Sequence, residues 1–165
     1  MKKLWSAAFI ALVALSIFSV TTFAGSKDEK EELGPPAGPF EGVFTGQIAG
    51  AYGSEANLTL DLIDRNQLVM GTATIGSGLQ INAGRICGSA TLPATSLWAT
   101  GETSTKYPDE LTIVAPIEVG GFEVTVEVEA ELSKDGETVE VAATIDVPWI
   151  CGRDPVILGT LTKIG

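Results

Sequence analysis

"LTIVAPIEVGGFEVTVEVEAELSKDGETVEVAATIDV", residues 111–147, alternates apolar and polar side chains and is punctuated at Gly120-Gly121 and Asp135-Gly136. A period of two marks a strand with one buried face. With Gly120-Gly121 as a two-residue turn, Val119 lies opposite Phe122, Ile117 opposite Val124, Ala115 opposite Val126, Ile113 opposite Val128 and Leu111 opposite Ala130. With Asp135-Gly136 as the next turn, Leu132 meets Val139, Ala130 meets Val141, Val128 meets Ala143, Val126 meets Ile145 and Val124 meets Val147. Both turns send the same residues inward, and a slip of one residue would expose every Val and Ile, so a three-strand antiparallel meander follows. Pro116 falls opposite Thr125 at a non-hydrogen-bonded pair. The other side of its strand is therefore expected to be an edge or a bulge.

The same pattern extends outward. "ANLTLDLID" (56–64) places Leu58, Leu60 and Leu62 on one face, and "QLVMGTATIG" (67–76) places Val69, Gly71, Ala73 and Ile75 on one face. A short turn at Arg65-Asn66 sets Leu62 opposite Val69, Leu60 opposite Gly71 and Leu58 opposite Ala73. Further strands are expected at 40–49, 79–87, 96–100 and 156–164, and no amphipathic helix is read after the first 24 residues. The fold class is all-β: an antiparallel up-and-down meander of eight or nine strands that curls into a small barrel, with a β-sandwich as the alternative. In architecture this resembles the lipocalin and avidin group. However, "FEGVFTGQ" (40–47) lacks the Gly-x-Trp of the first lipocalin strand, so no family is assigned.

Residues 1–24 begin with Lys2 and Lys3, run apolar from Leu4 to Val20 and end on Thr22-Phe23-Ala24, the three-part pattern of a cleaved signal peptide. Residues 25–39, "GSKDEKEELGPPAGP", carry charge, Gly and Pro with no apolar period and read as a flexible leader. One domain is expected over 40–165. The formal charge of the whole chain is −11, and loss of Lys2 and Lys3 with the signal leaves −13. Such a field disfavours nucleic acid and anionic membrane surfaces. The chain is therefore expected to be periplasmic or secreted, with no membrane insertion of its mature part. A pore would need an apolar exterior and aromatic girdles, and the few aromatics, Phe40, Phe44, Tyr52, Trp98, Tyr107, Phe122 and Trp149, do not supply them.

No histidine occurs, which excludes imidazole-based triads and the usual His-containing zinc sites. The two cysteines sit in Ile-Cys-Gly tripeptides 64 positions apart, too far for a Cys-x-x-Cys couple and too few for a four-thiolate zinc site. In an exported chain they are expected to form one disulfide, Cys87 to Cys151.

Carboxylates are the remaining acid or base groups. Glu123, Glu127, Glu129 and Glu131 share the polar face of one strand, about 7 Å apart in steps of two residues. That spacing suits a glycoside-hydrolase pair but suits an ordinary solvated face better. In the register above, Glu118 faces Glu123 and Glu131 faces Glu140, like-charge pairs that a weakly bound calcium ion could bridge. Arg85 shares a side with Ala83 and Cys87 if "INAGRIC" (81–87) is a strand, which would let it hold an anionic ligand; the alternative is a salt bridge or an exposed rim. Trp98 and Trp149 could cap a cavity mouth, or simply pack in the core. Gly76-Ser77-Gly78 and Gly50-Ala51-Tyr52-Gly53-Ser54 join strands, and neither has a P-loop lysine.

The sequence thus points to a non-catalytic, acidic binding protein without a cofactor, taking a small apolar or amphipathic ligand. Small inward residues, Gly71, Ala73, Ala115, Ala130 and Ala143, leave room for one. The alternative is an interaction module with a filled core that contacts another exported protein.

Overall fold

The structure is a computed structural model that describes residues 35–119 and 122–164. The signal peptide read at 1–24, residues 25–34 of the leader and the Gly120-Gly121 turn lie outside the described residues.

The described residues form ten strands: β1 (Gly42–Ala49), β2 (Glu55–Arg65), β3 (Leu68–Ile75), β4 (Gln80–Asn82), β5 (Ser89–Thr91), β6 (Thr95–Thr103), β7 (Glu110–Val119), β8 (Phe122–Leu132), β9 (Thr138–Asp146) and β10 (Val156–Ile164). Eight close into an antiparallel barrel in the order β1-β10-β9-β8-β7-β6-β3-β2, and β4 and β5 form a separate two-stranded ribbon. The barrel is up-and-down, with the segment between β3 and β6 as its one excursion. Closure removes the exposed edges that an open meander would leave.

The decisive stretch pairs as its alternation requires. Val119 is opposite Phe122, Ala115 opposite Val126 and Leu111 opposite Ala130; on the other side Leu132 meets Val139 and Val126 meets Ile145. The β2–β3 hairpin differs from its expected register by two residues: Leu62 meets Gly71, Leu60 meets Ala73 and Asp64 meets Val69. The turn lies at Asn66-Gln67, both at positive φ (54° and 69°), rather than at Arg65-Asn66. Two left-handed residues in succession make the turn that matches strand twist, and a shift of two leaves the inward set unchanged.

The strand expected at 79–87 is not continuous. Only Gln80–Asn82 is extended, and Gly84–Cys87 turns into a four-residue helix, α1. Gly84 has a φ of 90°, and a side chain there would collide with the Cys151 carbonyl, so the backbone passes where a strand residue would not fit.

Glycines also bend the barrel wall. Gly46 and Gly71 face inward, and a Cβ on either would strike the backbone carbonyl of the neighbouring strand, that of Thr160 or Asp61. Such close approach lets a strand coil sharply enough for closure.

The two ends differ. At the base, Phe40, Phe44, Leu111, Leu161, Val69 and Val139 are at most 1% exposed and fill the interior. Asp64 occupies the next inward position of β2 after Leu62; its carboxylate accepts the Phe40 N–H at 3.1 Å, and its carbonyl accepts the Gly38 N–H at 3.0 Å. Ala37 bridges to Arg65, so the last residues of the expected leader belong to the folded base. Glu41 accepts hydrogen bonds from the Arg65 guanidinium and the Asp64 N–H, in that order of strength, which hold its carboxyl below the usual range.

At the opposite end, the crown, lie the 50–54 and 76–94 segments and the loop from 147 to 155. Leu79, Ile81 and Leu92 of the excursion are buried and cover the barrel mouth. The Gln80 N–H donates to Ser54 Oγ at 2.8 Å, tying the excursion to the β1–β2 loop.

Candidate functional site: the hollow crown

Beneath the crown the barrel is not filled. A cavity of about 80 Å³ is lined by apolar side chains, among them Leu58, Leu97, Ile117 and Val126. Its size follows from alanines at inward positions of four strands: Ala73, Ala99, Ala115 and Ala143. Three of these are small residues expected to leave space, whereas Gly71 and Ala130 of the same set lie outside the cavity lining. Ala99 was not anticipated, although its alternation with Leu97 and Gly101 on β6 carried the signal.

Above this cavity a vestibule of about 580 Å³ opens between β8, the end of β9 and the crown segments. Ile81, Val124, Val147, Trp149 and Ile150 form much of its wall, and Ile145 lines both spaces. Among the described residues its charged lining residues are Glu123 and Asp146.

The Cys87–Cys151 disulfide is formed, with a Cα–Cα distance of 5.1 Å, and both cysteines line the vestibule. It joins α1 to the 3-10 turn Trp149–Cys151, so the two crown segments are clasped over the mouth. The Val147 N–H donates to Asp154 Oδ1 at 3.1 Å and the Cys151 N–H to the Pro148 carbonyl at 2.8 Å, shaping the loop locally.

The wall beside the cavity is incomplete. β6 and β7 pair only at Thr103–Leu111, Glu102–Thr112 and Gly101–Ile113, whereas β7 continues to Val119 paired with β8 alone. Pro116 lies opposite Thr125. With no N–H to offer the β6 side, it breaks the ladder there, so the edge expected from the sequence is a lateral seam in the barrel. Leu97 and Ala99 on one side of it, and Ala115 and Ile117 on the other, line the cavity.

The residues singled out from the sequence do not converge. Trp149 is 89% exposed at the vestibule rim. Trp98 is on the outer face of β6 beside the seam, 64% exposed. Arg85 is exposed on α1, and its expected direction does not survive because the segment is helical. The like-charge pairs Glu118–Glu123 and Glu131–Glu140 are present, and Glu110 extends the second into a row across three strands. Among the described residues no three acids approach closely enough to cage a metal ion. Glu123 instead belongs to the vestibule lining, together with Asp146, which the sequence pattern did not single out.

Apolar residues face the barrel interior, and the exposed acids of β8 lie outside, the reverse of a membrane pore. Among the described residues no helix is long and apolar enough to cross a membrane.

No protein-family model matches the chain, and no curated protein matches it. Among solved structures, the chain is similar to EF1p2_mFAP2b bound to DFHBI, with a TM-score of 0.50 and 10% identity over 76% of this chain and 94% of that one. A de novo designed fluorescence-activating β barrel aligns with a TM-score of 0.47 and 12% identity, again over 76% of this chain and 94% of its own. At such identities the likeness is one of fold.

Proposed function

We propose that this chain is an exported, non-catalytic binding protein whose barrel takes a small apolar or amphipathic molecule at the crown. The observation that carries the reading is the contrast between the two halves: the base is packed solid, whereas the crown half holds an apolar cavity beneath a wider vestibule. Evolved cores are close-packed, and an interior space walled by alanines gives up dispersion contacts that a ligand can restore. The cavity accepts a short apolar group, while the vestibule reaches the size of an ordinary ligand site, about 300–1,000 Å³. The fold likeness to a barrel described as bound to DFHBI fits this reading. The disulfide and the N-terminal pattern support an oxidising compartment outside the cytoplasm, periplasmic or secreted.

A second reading, a protein-interaction module, draws on the seam, where Trp98 and Val114 are 64% and 55% exposed on the outer face. Native mass spectrometry of the mature protein from its own host separates the two. A co-purified small molecule, lost on denaturation, is the expected result. A bare mass together with a captured protein partner would favour the module.

A further inference from the structure

We infer that the crown vestibule selects a small aromatic cation, an amine or quaternary ammonium on an apolar body. This rests on the ligand-binding reading above and specifies the charge of its ligand. The vestibule wall is largely apolar, and its charged lining residues, Glu123 and Asp146, are both acidic. Among the described residues neither carboxylate has a basic partner: the one salt bridge there is Arg65–Glu41, at the base. Glu118 lies directly across from Glu123 on β7, so like charges face each other at the rim, an arrangement that a bound cation relieves.

Trp149 adds the aromatic element. The residue is 89% exposed, and the turn that carries it ends at Cys151, held in place by the disulfide. An indole that lines the same vestibule as two carboxylates can attract a cation through its ring face. The apolar side chains of Val124, Ile145 and Val147 would cover the ligand's body. Among the described residues the lining offers an anion no basic side chain, since Arg85 and Arg153, the basic residues nearest the clasp in sequence, are not part of it.

Three probes with one aromatic body test this: naphthylmethylammonium, naphthylmethanol and naphthalenesulfonate, titrated at low salt by calorimetry. The ammonium should bind about tenfold more tightly than the alcohol, and the sulfonate more weakly than either. In the double variant Glu123→Gln/Asp146→Asn the ammonium's advantage should vanish while the alcohol still binds. Glu129→Gln/Glu131→Gln makes the same charge change on the same face of β8, further toward the base and outside the vestibule lining, and should leave that advantage nearly intact. An ammonium no tighter than the alcohol, or an advantage lost equally in both double variants, overturns the charge inference alone. If neither alcohol nor ammonium binds, the ligand-binding reading falls with it.

Discussion

Replacing Cys87 and Cys151 together by Ser is expected to lower stability by about 4 kcal/mol, because the bond closes a long loop and its loss frees the unfolded chain more than the folded one. The cysteines are 64 positions apart, between values of about 3 kcal/mol for a 15-residue loop and about 4.7 for a 100-residue one. For a domain of this size the melting midpoint should fall by roughly 10–20 °C. Thermal unfolding of the double variant, or of the wild type with reductant, reads this directly. The bond also clasps α1 to the Trp149–Cys151 turn, so loss of stability should come with loss of probe binding at the vestibule while the base remains folded below the new midpoint. A midpoint shift under about 3 °C would mean that the clasp contributes little and the crown is held by its other contacts.

Phe44→Ala should cost about 3–5 kcal/mol, measured by urea unfolding. Phe44 is fully buried on β1, opposite Leu60 on one side and Lys163 on the other, and its ring helps fill the base with Phe40 and Leu161. Truncation removes apolar burial and leaves a void that the closed barrel cannot collapse around. A cost under about 1 kcal/mol would show that the base is as loosely filled as the crown.

Most of the barrel was legible in the alternation. In 111–147 the alternation fixes which residues face inward, because any odd slip exposes an apolar row, and the turn signals at Gly120-Gly121 and Asp135-Gly136 select the observed register among the rest. The β2–β3 hairpin was legible as to face but not as to register. A shift of two keeps the same residues inward, so hydrophobic pattern cannot choose between turns, and backbone preference at Asn66-Gln67 decides. Pro116 disclosed the seam because a missing N–H is a local fact that long-range packing cannot repair.

The site was less legible. Alanines at 73, 115 and 143 pointed to interior space, since inward small residues are visible from parity alone. The vestibule was not visible, because it is assembled from Glu123, Asp146, Ile81 and Trp149, which are brought together by closure and by the disulfide rather than by any periodicity. Arg85 failed as an inward residue for a related reason. The clash that Gly84 avoids with the Cys151 carbonyl is a contact across the clasp, and it turns the segment into a helix. Buried Asp64 was readable as the next inward position after Leu62, but its hydrogen bond to Phe40 depends on residues 37–40 folding back onto the base.

Ala143→Leu tests the hollow crown most directly. Ala143 lines the 80 Å³ cavity opposite Val128, and a leucine there occupies the space from within. The variant should gain about 0.5–2 kcal/mol in urea unfolding, because the leucine occupies space that is already there. A loss of about 1–3 kcal/mol, the mark of overpacking, would show that no space exists beneath the crown to be filled.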